Sequence, residues 1–140
     1  RLFEMGCHEI SLGDTIGTGT PATIQPMIEA CAAVIPLDRL AGHYHDTFGM
    51  AIANVYASLE VGMAVFDSSI SGLGGCPYAT GASGNVATED VLFLLQGLGI
   101  DSGIDMAALL LASEYISQHL ARQPESKVAR ALLARHGGSA

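Results

Sequence analysis

The sequence contains no Trp, and only 6% of its residues are aromatic. It carries six Lys and Arg against fourteen Asp and Glu, for a formal net charge of -8. The few basic residues nowhere cluster, which excludes a nucleic-acid partner gripped through its phosphates. No uninterrupted apolar run approaches the roughly 20 residues that a bilayer span requires, which excludes a helical membrane anchor within this stretch. Cysteine is scarce and odd in number: Cys7, Cys31 and Cys76, with no CxxC pair. Neither a disulfide framework nor a thiolate zinc knot is supported, and a reducing compartment is the default. Cys7 and Cys31 sit among apolar neighbours and read as core. Internal repeats, low-complexity stretches and a signal peptide are not visible. The chain opens on Arg1 with Leu2, Phe3 and Met5 close behind, which reads as a cut from something longer.

What is present is an alternation of short apolar runs with helical patterns, each junction marked by turn chemistry. Cys7 to Leu12 predicts a strand, followed by a Gly-Asp-Thr-Ile-Gly-Thr-Gly loop. Thr20 reads as a helix N-cap with Pro21 at the first helical position. The helix over 21–33 carries Pro26 inside it, which predicts a kink or a later start. Leu40 to His45 predicts the second strand and Met50 to Val61 a helix packed on the sheet. Ala64 to Ile70 predicts the third strand, and a long Gly-rich loop runs from Ser71 to Asn85. Thr88 is the expected cap of the next helix, with Glu89 and Asp90 favourably placed in its first turn. Asp105 and Ser126 are the expected caps of two further helices.

Strand, loop and helix repeated three times describe βα units and therefore a parallel sheet. No GxGxxG follows the first strand, which weakens a dinucleotide-binding sheet. An eight-fold barrel needs about 250 residues, so the expected fold is α/β: the C-terminal part of a TIM (β/α)8 barrel with extra C-terminal helices. Residues 1–100 then supply the last βα units and residues 101–140 a helical appendage, with the N-terminal half of the barrel absent.

The chemistry concentrates at strand ends. His43 and His45, two apart on a strand, project from one face at its carboxyl end, where barrel active sites are built. A lone strand His is more often structural. Two aimed at one point suit a divalent metal, with oxygen donors nearby pointing to Mg, Mn, Fe or Zn. Cys76 stands in a Gly-rich loop, a setting for a nucleophile or an acid/base group, although such a Cys can also be incidental. Asn85 offers a side-chain carbonyl to a hard cation, or else caps a turn. Asp14 could bind substrate, orient a ligand or cap a turn.

The stretch Gly72-Leu73-Gly74-Gly75-Cys76-Pro77-Tyr78-Ala79, followed by Gly81-Ala82-Ser83-Gly84-Asn85, resembles the signature loop of 3-hydroxy-3-methylglutaryl-CoA lyases. Glu9-Ile10-Ser11-Leu12-Gly13-Asp14-Thr15 and His43-Tyr44-His45-Asp46-Thr47 match the same family in order and spacing, from about Gly6 to Ala131. The His pair is shared with a wider group of barrel lyases, aldolases and acyl-CoA-using synthases; the Cys-bearing loop is narrower. The resemblance implies a divalent cation, Mg2+ or Mn2+, held by His43, His45 and Asn85. It implies Cys76 and His43 as catalytic residues in the cleavage of 3-hydroxy-3-methylglutaryl-CoA to acetyl-CoA and acetoacetate, a step of leucine degradation and ketone-body formation.

The family's further ligand Asp, its catalytic Arg and a Glu fall upstream of Arg1, so this stretch alone is expected to be inactive. A dimer is expected of the complete enzyme, cytoplasmic in a bacterium or in the mitochondrial matrix of a eukaryote. Two other readings stand beside the lyase. One is an acyl-CoA-using synthase of isopropylmalate or homocitrate type, and the other a non-catalytic metal-binding fragment.

Overall fold

The computed structural model of the chain describes residues 1–75 and 83–137. Three strands, β1 (Ile10–Asp14), β2 (Leu40–Tyr44) and β3 (Val65–Asp67), form one parallel sheet in the order β1-β2-β3. Helices α1 (Pro21–Ala32) and α2 (Ala51–Glu60) make the crossovers, and α3 (Thr88–Gly97) follows the third strand. Two more helices, α4 (Met106–His119) and α5 (Lys127–Gly137), complete the described chain. Neither they nor any other described helix is long and apolar enough to cross a membrane.

The sheet has two unlike faces, and the period of two along a strand decides which residue goes where. Even-numbered positions of β2 face the helices. Leu40 and Tyr44 are buried there with Ile24 and Ile28 of α1, Val55 of α2, and Met63, Val86 and Val91. Each fully buried aliphatic side chain of this kind contributes about 1.5–3 kcal/mol of transfer free energy. The odd-numbered face carries Ser11, Gly13, His43, Val65 and Asp67, all at least partly open to solvent. That open face is where the polar chemistry lies.

The helix ends follow local rules with one exception. The Thr23 hydroxyl accepts the Thr20 N–H at 3.0 Å, closing the start of α1. Pro26 sits within α1 without ending it; the missing N–H leaves only the Ala22 carbonyl without its usual partner. Asp105 accepts the Ala108 N–H at 2.7 Å, and Ser126 accepts that of Ala129 at 2.9 Å, as their positions predict. Thr88 does not cap α3. Ala87 holds the cap position and Thr88 is already helical, its hydroxyl turned to Ser68 at 2.9 Å.

Strand boundaries differ from the apolar runs for reasons of pairing. β1 begins at Ile10, opposite Leu40, not at Cys7. Cys7 precedes the sheet, with its N–H bonded to the Leu2 carbonyl, and it is exposed rather than core. β3 stops at Asp67 because its partner β2 offers no register beyond His43. Ser69 then bridges Ala87, and Ile70–Gly72 tightens into a 3-10 turn.

Candidate active site

His43 and His45 leave β2 on the open face, their ring centroids 5.3 Å apart and nearly edge to face. Asn85 is brought to them by an antiparallel bridge with His45. The Val86 N–H donates to the Tyr44 carbonyl at 2.9 Å and the Asp46 N–H to the Gly84 carbonyl at 3.1 Å. Those two bonds flank the His45–Asn85 pair, making it a pair without hydrogen bonds of its own, the kind whose side chains lie closest. Two residues 40 positions apart in sequence thus share one spot.

Hydrogen bonding fixes what each group presents. The Asn85 Nδ2 donates to the Leu73 carbonyl at 3.1 Å. Its Oδ1 is buried and has no hydrogen-bond partner among the described residues. An orphaned buried amide oxygen costs about 1–3 kcal/mol unless something else meets it. The His45 Nδ1 lies 3.2 Å from the Ser83 carbonyl oxygen, a group that only accepts, so Nδ1 carries the proton and Nε2 keeps its lone pair. The His43 Nδ1 lies 3.2 Å from Asp67 Oδ2. An oxygen and two imidazoles are a donor set that fits a divalent cation. Among the described residues no group of three His, Cys, Asp or Glu side chains could hold a metal ion, so the candidate set counts Asn85 as its third donor.

Asp14 adjoins this group through its backbone, its carbonyl accepting the His45 N–H at 3.4 Å, while its side chain is engaged elsewhere. Its register partner is Tyr44, which puts it on the helix-facing side. Its carboxylate accepts the N–H groups of Thr18 at 3.1 Å and Gly19 at 2.9 Å. Those two bonds cap the turn, and they do not decide between the substrate-binding and ligand-orienting roles. Asp46 is likewise engaged, accepting the Ala51 N–H at 2.9 Å and so starting α2. Cys76 lies outside the described residues. Two described positions near that segment, Gly74 and Ser83, are close to the candidate ligands. Gly74 packs so close that a Cβ there would come within 2.6 Å of Asn85 Nδ2, and Ser83 holds His45.

Sequence reasoning missed Asp67, whose register with His43 across two parallel strands puts both side chains on one face. The signal was an acid closing a short apolar run at the level of the histidines. It also missed a second polar cluster behind the site. Glu89 is fully buried, and both its oxygens accept the Ser71 N–H, at 2.9 and 3.0 Å. Ser71, held at φ 60°, joins its hydroxyl to that of Ser113 on α4. On the helix side an open apolar cleft of about 500 Å3 runs between α2, α3 and α5, lined by Ile52, Phe93, Leu94 and Val128 but by none of the three candidate ligands.

Comparison with known proteins gives this geometry a context. The HMGL-like family matches residues 1–116. The chain is 58% identical over 132 residues to the mitochondrial hydroxymethylglutaryl-CoA lyase of Arabidopsis thaliana, covering 94% of the chain and 28% of that protein. It is 59% identical over 135 residues to a 3-hydroxy-3-isohexenylglutaryl-CoA/hydroxymethylglutaryl-CoA lyase of Pseudomonas aeruginosa, covering 96% of the chain and 45% of that protein. The crystal structure of hydroxymethylglutaryl-CoA lyase from Pseudomonas aeruginosa superposes with a TM-score of 0.92 at 59% identity, over 96% of the chain and 45% of that structure. The chain therefore spans less than half the length of these relatives. Its three parallel βα units are the expected α/β portion of a TIM barrel, and the chain belongs to the HMGL-like family.

Proposed function

We propose that this chain supplies the metal-binding and loop-bearing βα units of a lyase that splits 3-hydroxy-3-methylglutaryl-CoA into acetyl-CoA and acetoacetate. One observation carries the reading: the buried Asn85 Oδ1, without a hydrogen-bond partner among the described residues, belongs to the residue that bridges His45, two positions from His43. The names of the relatives support the substrate class. Residues 1–100 are the barrel portion and 101–140 the helical addition.

The residues that would hold the cation are His43, His45 and Asn85, with a further ligand from outside this stretch. A divalent ion bound there, Mg2+ or Mn2+, supplies Lewis-acid polarisation of the substrate's tertiary hydroxyl. The family resemblance also gives His43 a part in moving the hydroxyl proton as the carbon–carbon bond opens; as a ligating imidazole it does so by orienting the hydroxyl and not as the base. The acetyl-CoA fragment leaves as a thioester enolate and must be protonated. Cys76, which lies outside the described residues, is the proton donor in this reading, as the family resemblance implies. The working enzyme in this reading is a homodimer, cytoplasmic in a bacterium or in the mitochondrial matrix of a eukaryote; the relatives named mitochondrial support the second compartment.

The test is an assay of acetoacetate release by the protein at its full natural length, supplied with Mg2+ or Mn2+. Cation-dependent cleavage that collapses in Cys76→Ser is the expected result. Activity indifferent to Cys76→Ser, or condensation of acetyl-CoA with a 2-oxo acid instead, overturns it in favour of a synthase. Calorimetric titration of the 140-residue stretch alone should give weak Mn2+ binding; tight binding there favours an autonomous metal-binding module.

A further inference from the structure

Asp67 is the one carboxylate on the open sheet face beside the candidate ligands among the described residues, and the proposed mechanism leaves it unused. It stands at the carboxyl end of β3 in direct register with His43. Its Oδ2 lies 3.2 Å from His43 Nδ1 and accepts the Ser11 hydroxyl at 3.1 Å. Three parallel strands thus contribute one residue each to a line: Ser11 from β1, His43 from β2 and Asp67 from β3.

An ionised carboxylate can only accept. With Ser11 donating to Oδ2, the hydrogen bond from His43 has to come from an Nδ1–H. That assignment leaves the lone pair of His43 on Nε2, the nitrogen at the far side of the ring. The His45 ring reaches the same state through the Ser83 carbonyl. The two rings differ in how firmly they are held. His45 is nearly buried, whereas the His43 side chain is 36% exposed and would rotate freely without an anchor. Carboxylate and carbonyl acceptors behind a metal-binding His fix its tautomer and raise its basicity, and their removal costs metal affinity about 10–100-fold.

We infer that Asp67, steadied by Ser11, is a positioning residue that holds His43 as its Nδ1–H tautomer with Nε2 turned to the cation. This rests on the metal-site reading above. Asp67 does not itself enter the reaction. Its side chain is half exposed and bonds to Ser11 and His43, both partly open to solvent, so its loss should leave the fold intact.

The experiment uses the protein at its full natural length, with and without Mn2+. Nitrogen NMR of the metal-free protein above the imidazole titration range should find His43 protonated on Nδ1. Asp67→Ala should move it toward the Nε2–H form, the preference of free imidazole. Mn2+ affinity, read from the free-ion electron paramagnetic resonance signal, should fall about 10–100-fold in Asp67→Ala. Asp67→Asn, which keeps an acceptor oxygen, should recover part of that loss, and the thermal midpoint should not move in either variant. An Nε2–H tautomer in the unaltered protein, or unchanged Mn2+ affinity in Asp67→Ala, overturns the inference while leaving the metal site standing. A protein that binds no Mn2+ at all overturns both.

Discussion

Two polar clusters lie a few residues apart in this chain, and they obey opposite rules. Behind the sheet, Ser71, Glu89 and Ser113 are all fully buried and bonded to one another. On the open face, His43, His45 and Asn85 are each tied by one atom, and among the described residues the buried Asn85 Oδ1 has no partner. A satisfied network holds a fold together; one with an open buried acceptor leaves a place that the proposed cation would fill. The same short stretch, Ser69 to Asn85, feeds both clusters. The rigid one anchors the start of the Gly-rich segment, and the open one receives its end.

That contrast is broken most sharply by His45→Ala. Loss of one ligand should remove several kcal/mol of transition-state stabilisation, roughly a 10³-fold fall in turnover, with the folded protein otherwise stable. A steady-state assay beside a thermal melt reads both. Glu89→Ala should do the reverse. It leaves the Ser71 N–H unpaired in the interior and a hole beside it, costing about 2–4 kcal/mol of stability in a denaturant titration. The Mn2+ affinity of the folded fraction should be kept. If Glu89→Ala instead abolished binding without unfolding, the two clusters would not be separable in this way.

How much of this could be read from the sequence depends on the range of the interaction. The HxH spacing at the end of an apolar run fixes both imidazoles on one face, because the strand period alone decides it. The caps at Asp105 and Ser126 are local and legible for the same reason. The Asn85 side chain was a candidate by type, yet its bridge to His45 spans 40 residues and leaves no local mark. Asp67 was hidden by register, which only pairing to β2 reveals. Glu89 looked like a solvated acid in a first helical turn; its burial follows from the Ser71 turn and α4 closing over it, contacts of long range. Cys7 looked apolar in context but falls before the sheet, where nothing covers it.

A smaller effect sharpens the comparison on the structural side. Tyr44 is buried with its hydroxyl 2.8 Å from Ser58, and burial pushes its pKa above the ordinary 10.0, outweighing the lowering by Ser58. A proton held more tightly in the folded state stabilises it below the unfolded pKa, and that contribution is lost as pH rises past 10. Tyr44→Phe should cost about 0.5–1.5 kcal/mol at neutral pH and flatten the alkaline loss of stability. Melts at pH 7 and at pH above 10 read the difference, and the open cluster should not notice the change.

The most direct test of the half-satisfied site is the echo-modulation spectrum of Mn2+ bound to the protein at its full natural length. Two directly coordinated imidazole nitrogens should modulate the echo, one of them vanishing in His43→Ala and the other in His45→Ala. Mn2+ that binds tightly with no nitrogen coupling would place the ion elsewhere and contradict the account.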